Sequence, residues 1–218
     1  MAEAPRDAVQ AVLALIAARL ADVGFALKPG LAIKRPAGDL TDVISCQTSV
    51  WNRRDVQAWF ALSARLESGT MSRFRKARWP SRPANITRYD RFATSRQIKF
   101  PGTPHTVRWD ALDVERRPAI AAEAEAIIRA DVLPWFERMR DPLHVLHSLE
   151  DGFISSRALV YACAHGLQSE ARAYLAQQAA KNRAIAEAIA RMRADPTNRK
   201  AGNAWDEVAL RAIELDLV

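Results

Sequence analysis

The sequence predicts an α+β fold with an N-terminal helix, a small antiparallel sheet of three or four strands, and a helical C-terminal half. Apolar residues recur every three or four positions up to residue 23, at every second position between residues 40 and 66, and at helical spacing again after residue 117. The first spacing is typical of amphipathic helices and the second of half-buried strands. Because the connections between the strands are short, neighbouring strands are expected to be antiparallel.

The change of period divides the chain near residue 115. Residues 1–115 form the predicted sheet domain, which includes a basic excursion over residues 69–104 that has no steady period. Residues 116–218 form a helical region that is expected to pack on the first as one unit. A loop as long as 69–104 is uncommon in a compact domain and is usually functional or mobile.

The first helix is predicted over residues 7–23. Its apolar stripe consists of Val9, Val12, Leu13, Ile16, Leu20 and Val23. Gly24 supplies the stop signal, and Phe25 is expected to pack back on the last helical turn.

The clearest strands are residues 40–50 and 56–66, joined by a polar turn at residues 52–55. We predict that they pair as an antiparallel hairpin, with Phe60 and Leu62 on one apolar face. A short strand at residues 31–35 precedes this hairpin, and residues 106–113 are a candidate last strand.

Four further helices are predicted after residue 140. They are a short helix at 143–149, a helix capped by Ser155 or Ser156 and ended by Gly166, a long helix from Ser169 to about residue 193, and a last helix that begins at Asn203.

The composition is that of a cytoplasmic globular protein. No stretch of about 20 residues is predominantly apolar, so no membrane helix is predicted, and the N-terminus lacks the order of a secretory signal. Two cysteines, Cys46 and Cys163, are too few for a disulfide framework and fit a reducing compartment. We expect no membrane partner.

The strongest functional signal is a basic segment between Met71 and Lys99, in which Asp90 is the one acidic residue. The candidate partner-binding residues are Arg73, Arg75, Lys76, Arg78, Trp79, Arg82, Arg88, Arg91, Arg96 and Lys99. Guanidinium groups pair with anions and stack on aromatic rings. The segment therefore favours an acidic protein partner, with nucleic acid as the alternative. A solvated loop without a function has the same composition.

Other polar residues give weaker signals. Gln47 and Ser49 share a strand face and lie close to Asn52, so the three either line a pocket or satisfy neighbouring backbone groups. His144 and His147 have a spacing that metal ligands use, but further ligands are missing. We predict no catalytic residue, cofactor or metal, and an enzyme of unknown class is the third hypothesis.

The N-terminal half resembles a bacterial family that is catalogued only as a domain of unknown function. The points of likeness are the helix that ends at Gly24, the strand sequence from Asp42 to Ser49, the start of the next strand at Trp59, and the later Leu-Pro-Trp-Phe sequence at residues 133–136. The chain departs from the pattern after residue 60. The resemblance implies an α+β fold and no assigned chemistry. It suggests an accessory or immunity-type factor.

Overall fold

The computed structural model describes residues 3–80, 92–100, 102–148, 154–195 and 201–218, and its fold is α+β as predicted. The strands are β1 (Ala26–Lys28), β2 (Ala32–Ala37), β3 (Leu40–Thr48), β4 (Trp59–Ser68), β5 (Phe92–Gln97) and β6 (Trp109–Asp110). The helices are α1 (Pro5–Arg19), α2 (Gly69–Arg78), α3 (Arg117–Ile127), α4 (Leu133–Met139), α5 (Pro142–His147), α6 (Ser156–Ala164), α7 (Gln168–Lys181), α8 (Arg183–Ala194) and α9 (Ala204–Glu214).

The six strands of the described residues form one antiparallel sheet in the order β1-β2-β3-β4-β5, and β6 also pairs with β4. Two strands were not predicted. β1 has only three residues, which is too short to show a period of two. β5 lies inside the basic excursion, where its sequence Phe-Ala-Thr-Ser-Arg-Gln has no apolar alternation.

β4 is the second strand of the hairpin that the sequence predicts, and it lies between β3 and β5 in the sheet. Its side chains alternate between buried and partly exposed along the whole strand. Phe60 and Leu62 both lie on the buried face, as predicted. Phe60 pairs with Trp109 of β6, and the two rings stack with their centroids 5.5 Å apart.

The N-terminal helix also agrees with the prediction. The described residues of its apolar stripe are buried between Val9 and Ile16, and a short 3₁₀ turn, Ala21–Val23, follows. Gly24 then adopts a positive φ of 86°, which favours glycine because it has no Cβ. The Phe25 N–H donates to the Leu20 carbonyl, and the Phe25 ring lies 6.3 Å from the Phe136 ring, so its packing on the last helical turn stays a prediction.

Part of the basic excursion is a regular helix, which corrects the expectation of an irregular segment over residues 69–104. α2 begins after Ser68, whose hydroxyl accepts a hydrogen bond of 3.1 Å from the Met71 N–H. Met71 and Arg75 are its buried residues. Because one of these two is an arginine, no apolar stripe is visible in the sequence.

The long helix predicted from Ser169 to residue 193 is wrong, since two helices occupy this stretch. Asn182 is extended (φ −127°, ψ 101°), and its side chain accepts from the Ala184 N–H to cap α8. Ser169 is not a cap, because its hydroxyl donates to Glu170 within α7. The predicted caps Ser155 and Asn203 are both observed.

The chain forms two compact units. The first comprises Met1–Glu67 and Ser95–Glu137, and within it α1 packs on α3. The second comprises Ser68–Thr94 and Arg138–Val218, and within it α6 contacts α2, α5, α7 and α9. The change from strands to helices lies between β6 and α3, where the sequence places it.

In the part of the chain that the structure describes, no helix combines the length and the apolar character needed to cross a membrane.

Replacing Phe60 with alanine is expected to lower the free energy of unfolding by about 3–5 kcal/mol, because the enclosed ring also loses its stack on Trp109. Ile16→Ala is expected to cost about 2–5 kcal/mol. Val114→Ala, at an exposed site, serves as the control and should stay within about 0.5 kcal/mol of the parent. Urea unfolding followed by circular dichroism measures all three. A core variant as stable as the control would show that its element faces another way.

Candidate partner-binding site

Five of the predicted binding residues lie on α2 or directly after it, in the second compact unit. The Arg75 side chain is buried, and its guanidinium carbon lies 5.4 Å from the centroid of the Trp79 ring. The Arg211 guanidinium carbon lies 5.0 Å from the same centroid. Trp79 is therefore half-buried against two cations, and its ring is not presented as an open stacking surface. Arg73 and Lys76 are exposed.

Two other predicted cations have internal anionic partners. Arg78 donates to the Glu214 carbonyl and to the Asp216 carboxylate, the latter at 2.6 Å. Arg96, in the first unit, forms an ion pair with Asp131 and lies over the Trp135 ring. Two of the nine positive charges counted in the basic segment are thus paired with carboxylates within the fold.

Of the remaining predicted residues, one is exposed and three lie outside the part of the chain that the structure describes. Lys99 is exposed in the first unit. Arg82, Arg88 and Arg91 lie outside the residues that the structure describes. Whether the exposed cations Arg73, Lys76 and Lys99 bind a partner stays a prediction.

A cleft of about 330 Å³ opens at the end of the β3–β4 hairpin, in the first unit. Its lining combines aromatic rings, small polar groups and one cation. The lining residues are Gln47, Thr48, Ser49, Trp51, Trp59, Phe60, Ala61 and Arg108. The loop at residues 49–58 and the residue before β6 supply the parts that the sheet does not.

Large apolar side chains around this cleft are exposed. Trp51 is 69% exposed and Trp59 is 44% exposed, and Val50 and Val56 are also exposed. Exposed apolar side chains that lie close together in the chain are candidates for interaction sites in soluble proteins. We call this region the tryptophan surface. It consists of Val50, Trp51, Arg53, Arg54, Val56, Trp59 and Arg108.

Trp59 is held in place although it is exposed. The Asn52 side chain donates to the Trp59 carbonyl at 2.8 Å and accepts from the Trp59 N–H at 2.9 Å. The indole N–H donates to Asp110 at 3.1 Å. Asp110 also accepts from the Ala58 and Leu112 backbone N–H groups, so it is fixed in turn. The ring is therefore oriented before any ligand arrives.

The loop that carries Trp51 is fixed in a similar way. The Gln57 side chain donates to the Trp51 carbonyl at 2.8 Å, and the Trp51 N–H donates to the Ser49 hydroxyl at 3.1 Å. Asp55 has a positive φ of 61°, a conformation that aspartate tolerates better than most residues. Both tryptophans thus stand on a backbone held by side-chain hydrogen bonds.

Two groups in the cleft offer hydrogen-bond donors. Arg108 is exposed, and within the described residues no hydrogen bond or ion pair involves its guanidinium group. Gln47 accepts from the Gln97 amide at 3.2 Å through its oxygen, so its own NH₂ group takes no part in that hydrogen bond. A ligand that supplies acceptors satisfies both groups.

Both sequence-based alternatives for the polar set hold in part. Gln47 and Ser49 line the cleft, as the pocket hypothesis predicts. Asn52 satisfies backbone groups, as the other hypothesis predicts. Neither Arg108 nor the exposure of Trp51 was predicted from the sequence. The period of two along β4 puts Trp59 on the strand face opposite Phe60. This alternation was an available sequence signal for the exposure of Trp59.

The cysteines are poorly suited to nucleophilic chemistry. Burial raises the pKa of the Cys46 thiol to about 12 and that of Cys163 to about 11, so both are thiols at neutral pH. The His147 ring packs edge-on against Tyr174 with centroids 4.4 Å apart. Among the described residues, no cluster of three or more His, Cys, Asp or Glu side chains is arranged to hold a metal ion.

Comparison of the chain with protein-family models, with curated proteins and with solved structures finds no match in any of the three.

Replacing Asn52 with alanine is expected to lower the free energy of unfolding by about 1–3 kcal/mol, because two backbone hydrogen bonds are lost, each with a net value of about 0.5–1.5 kcal/mol. Asn52→Asp keeps the acceptor for the Trp59 N–H but turns an oxygen toward the Trp59 carbonyl, so it should also destabilise the fold. Relaxation of the Trp59 indole ¹⁵N resonance should report faster motion in the alanine variant. An unchanged indole resonance in Asn52→Ala would show that the Asn52 hydrogen bonds do not hold Trp59 in place.

Proposed function

We propose that this chain is a non-catalytic binding protein that engages an acidic protein partner through the tryptophan surface. The observation that carries the proposal is an exposed Trp59 whose backbone and indole are both fixed by hydrogen bonds. Because it is exposed, a tryptophan fixed in this way contributes little to the stability of the core. Because it is already ordered, less side-chain entropy is lost when a partner binds.

The composition of the surface supports a protein partner. Tryptophan and arginine are the residues most enriched among those that dominate binding energy at protein interfaces. The exposed valines Val50 and Val56 add apolar area beside the rings. Apolar contact of this kind is of use against another protein and has no role in pairing with phosphate.

The charge of the surface supports an acidic partner. Arg53, Arg54 and Arg108 are exposed, with Asp55 as the opposing charge on the same loop. The carboxylate of Asp110 is occupied by three N–H donors. Complementary charge speeds encounter and excludes partners of the wrong sign.

The basic segment has a supporting role in this proposal. Its exposed cations, Arg73 and Lys76 in the second unit and Lys99 in the first, add positive charge that speeds association with an acidic partner. The cellular setting suggested by the sequence, an accessory or immunity-type factor in a bacterium, belongs to the proposal as well.

Nucleic acid is the second candidate, and one observation favours it. Two exposed indole rings, Trp51 and Trp59, stand beside arginines, and single-stranded nucleic acid binds to such combinations by base stacking and phosphate contact. Trp79, the ring that the sequence offered for stacking, packs instead between cations of its own unit.

Photo-crosslinking at Val56 tests the proposal. Val56 and Val114 are each 63% exposed, and Val114 lies outside the tryptophan surface. A benzophenone amino acid at position 56, irradiated in cells of the source organism, is expected to give a discrete polypeptide adduct that Trp51→Ala abolishes. The same group at position 114 should give none. A nuclease-sensitive adduct at position 56 would support the second candidate, and equal adducts at both positions would refute both.

The steering role is tested with the polypeptide that photo-crosslinking at position 56 identifies. Arg73→Gln with Lys76→Gln should slow association several-fold at low salt and have little effect at high salt, because salt screens the attraction between exposed charges. Neutralising Lys181 and Arg193, two exposed cations of the same unit, is the matched control. Stopped-flow fluorescence measures the rates. Equal slowing by both pairs would show that only net charge matters.

A further inference from the structure

We propose that the cleft receives a linear segment of the partner in which an aromatic side chain is flanked by carboxylates, with Arg108 as the residue that selects the carboxylate. This inference rests on the proposed function and adds to it the chemistry of the recognised segment. It concerns the cleft itself and not the wider tryptophan surface.

The size of the cleft limits its occupant. Its volume of about 330 Å³ is at the lower end of the ~300–1,000 Å³ that ligand pockets span. Such a space accepts one or two side chains of a partner. The exposed rings at its rim extend the contact beyond the cleft, which suits an extended segment.

The lining determines the chemistry of the occupant. Trp51 and Trp59 supply apolar surface, and aromatic rings pack well on one another in offset or edge-on geometries. Arg108 is the charged residue of the lining. A segment that places an aromatic ring between the tryptophans and an acid at the rim satisfies both features.

The donors in the cleft select a carboxylate over a neutral amide. The Arg108 guanidinium presents a planar fork that matches a carboxylate in two parallel hydrogen bonds. The Gln47 NH₂ group adds a neutral donor. Both oxygens of a carboxylate accept hydrogen bonds from these donors. An amide in the same two-bond geometry has to direct its NH₂ group toward the guanidinium cation.

Preorganisation of the rim favours binding of a short segment. Trp59 is fixed through Asn52 and Asp110, and Trp51 through Ser49 and Gln57. A short peptide gains little contact area, so it binds measurably only where the receptor does not have to be ordered first.

The experiment uses defined peptide probes and the full chain labelled with ¹⁵N. The probe is acetyl-Gly-Asp-Phe-Asp-Gly-amide, and its matched control has asparagine in place of both aspartates. Titrations follow the indole N–H resonances of Trp51 and Trp59. We expect saturable shifts with the acidic probe at millimolar concentration and affinity about 10-fold lower for the asparagine probe, because charge-assisted hydrogen bonds are about twice as strong as neutral ones.

Variants assign the preference to Arg108. Arg108→Gln should bind the two probes equally, and Arg108→Lys should keep a reduced preference, since it retains the charge without the fork. Arg116→Gln removes the same charge from an exposed site of the same unit and should keep the full preference. Circular dichroism checks that each variant is folded.

Several outcomes would overturn the inference. They are no shift of either indole resonance, equal affinity for the two peptides, or loss of the preference in Arg116→Gln. Tighter binding of pentathymidylate than of the acidic peptide at the same resonances would replace the peptide segment by single-stranded nucleic acid. A polypeptide adduct at position 56 without peptide discrimination would refute this inference alone, and discrimination without an adduct would refute the proposed partner alone.

Discussion

The period of two along β4 is the constraint on which both the core and the candidate site depend. Consecutive strand residues point to opposite faces of the sheet, so burying Phe60 and Leu62 places Trp59 on the other face. The pairing with β6 matches this division, because Phe60 stacks on Trp109 and Trp59 binds Asp110. A slip of one residue would exchange the two sets. The core therefore fixes the register that exposes Trp59.

Elements with a strong apolar period were predictable from the sequence, and those held by polar groups were not. α1 and β4 have buried faces made of aliphatic and aromatic residues, so their patterns are visible. α2 buries Arg75, a residue type that is mostly exposed in proteins. The break at Asn182 depends on a single extended residue inside an alanine-rich stretch with good helix propensity. Helix propensity therefore conceals the break, and Asn182 as a preferred cap residue is the one local signal of it.

The candidate site was predictable only in part, because charge in a sequence does not distinguish internal ion pairs from exposed groups. Arg78 and Arg96 belong to the basic segment, but their carboxylate partners Asp216 and Asp131 lie 138 and 35 residues further along the chain. Gln47 and Ser49 could be recognised as a set because they share one strand. Arg108 reaches the same cleft from the other side of a long connection, and only the fold brings it there.

The end of the hairpin explains why the tryptophan surface can be held in place without further secondary structure. β3 ends at Thr48, so at Trp59 the sheet has few remaining backbone partners. The Ser49 N–H donates to the Trp59 carbonyl, and Asn52 donates to the same oxygen and accepts from the Trp59 N–H. A side-chain amide thus continues the hydrogen bonding of the sheet by one residue. The groups that end the strand are the same groups that orient the tryptophan, so strand termination and presentation of the ring are a single structural feature.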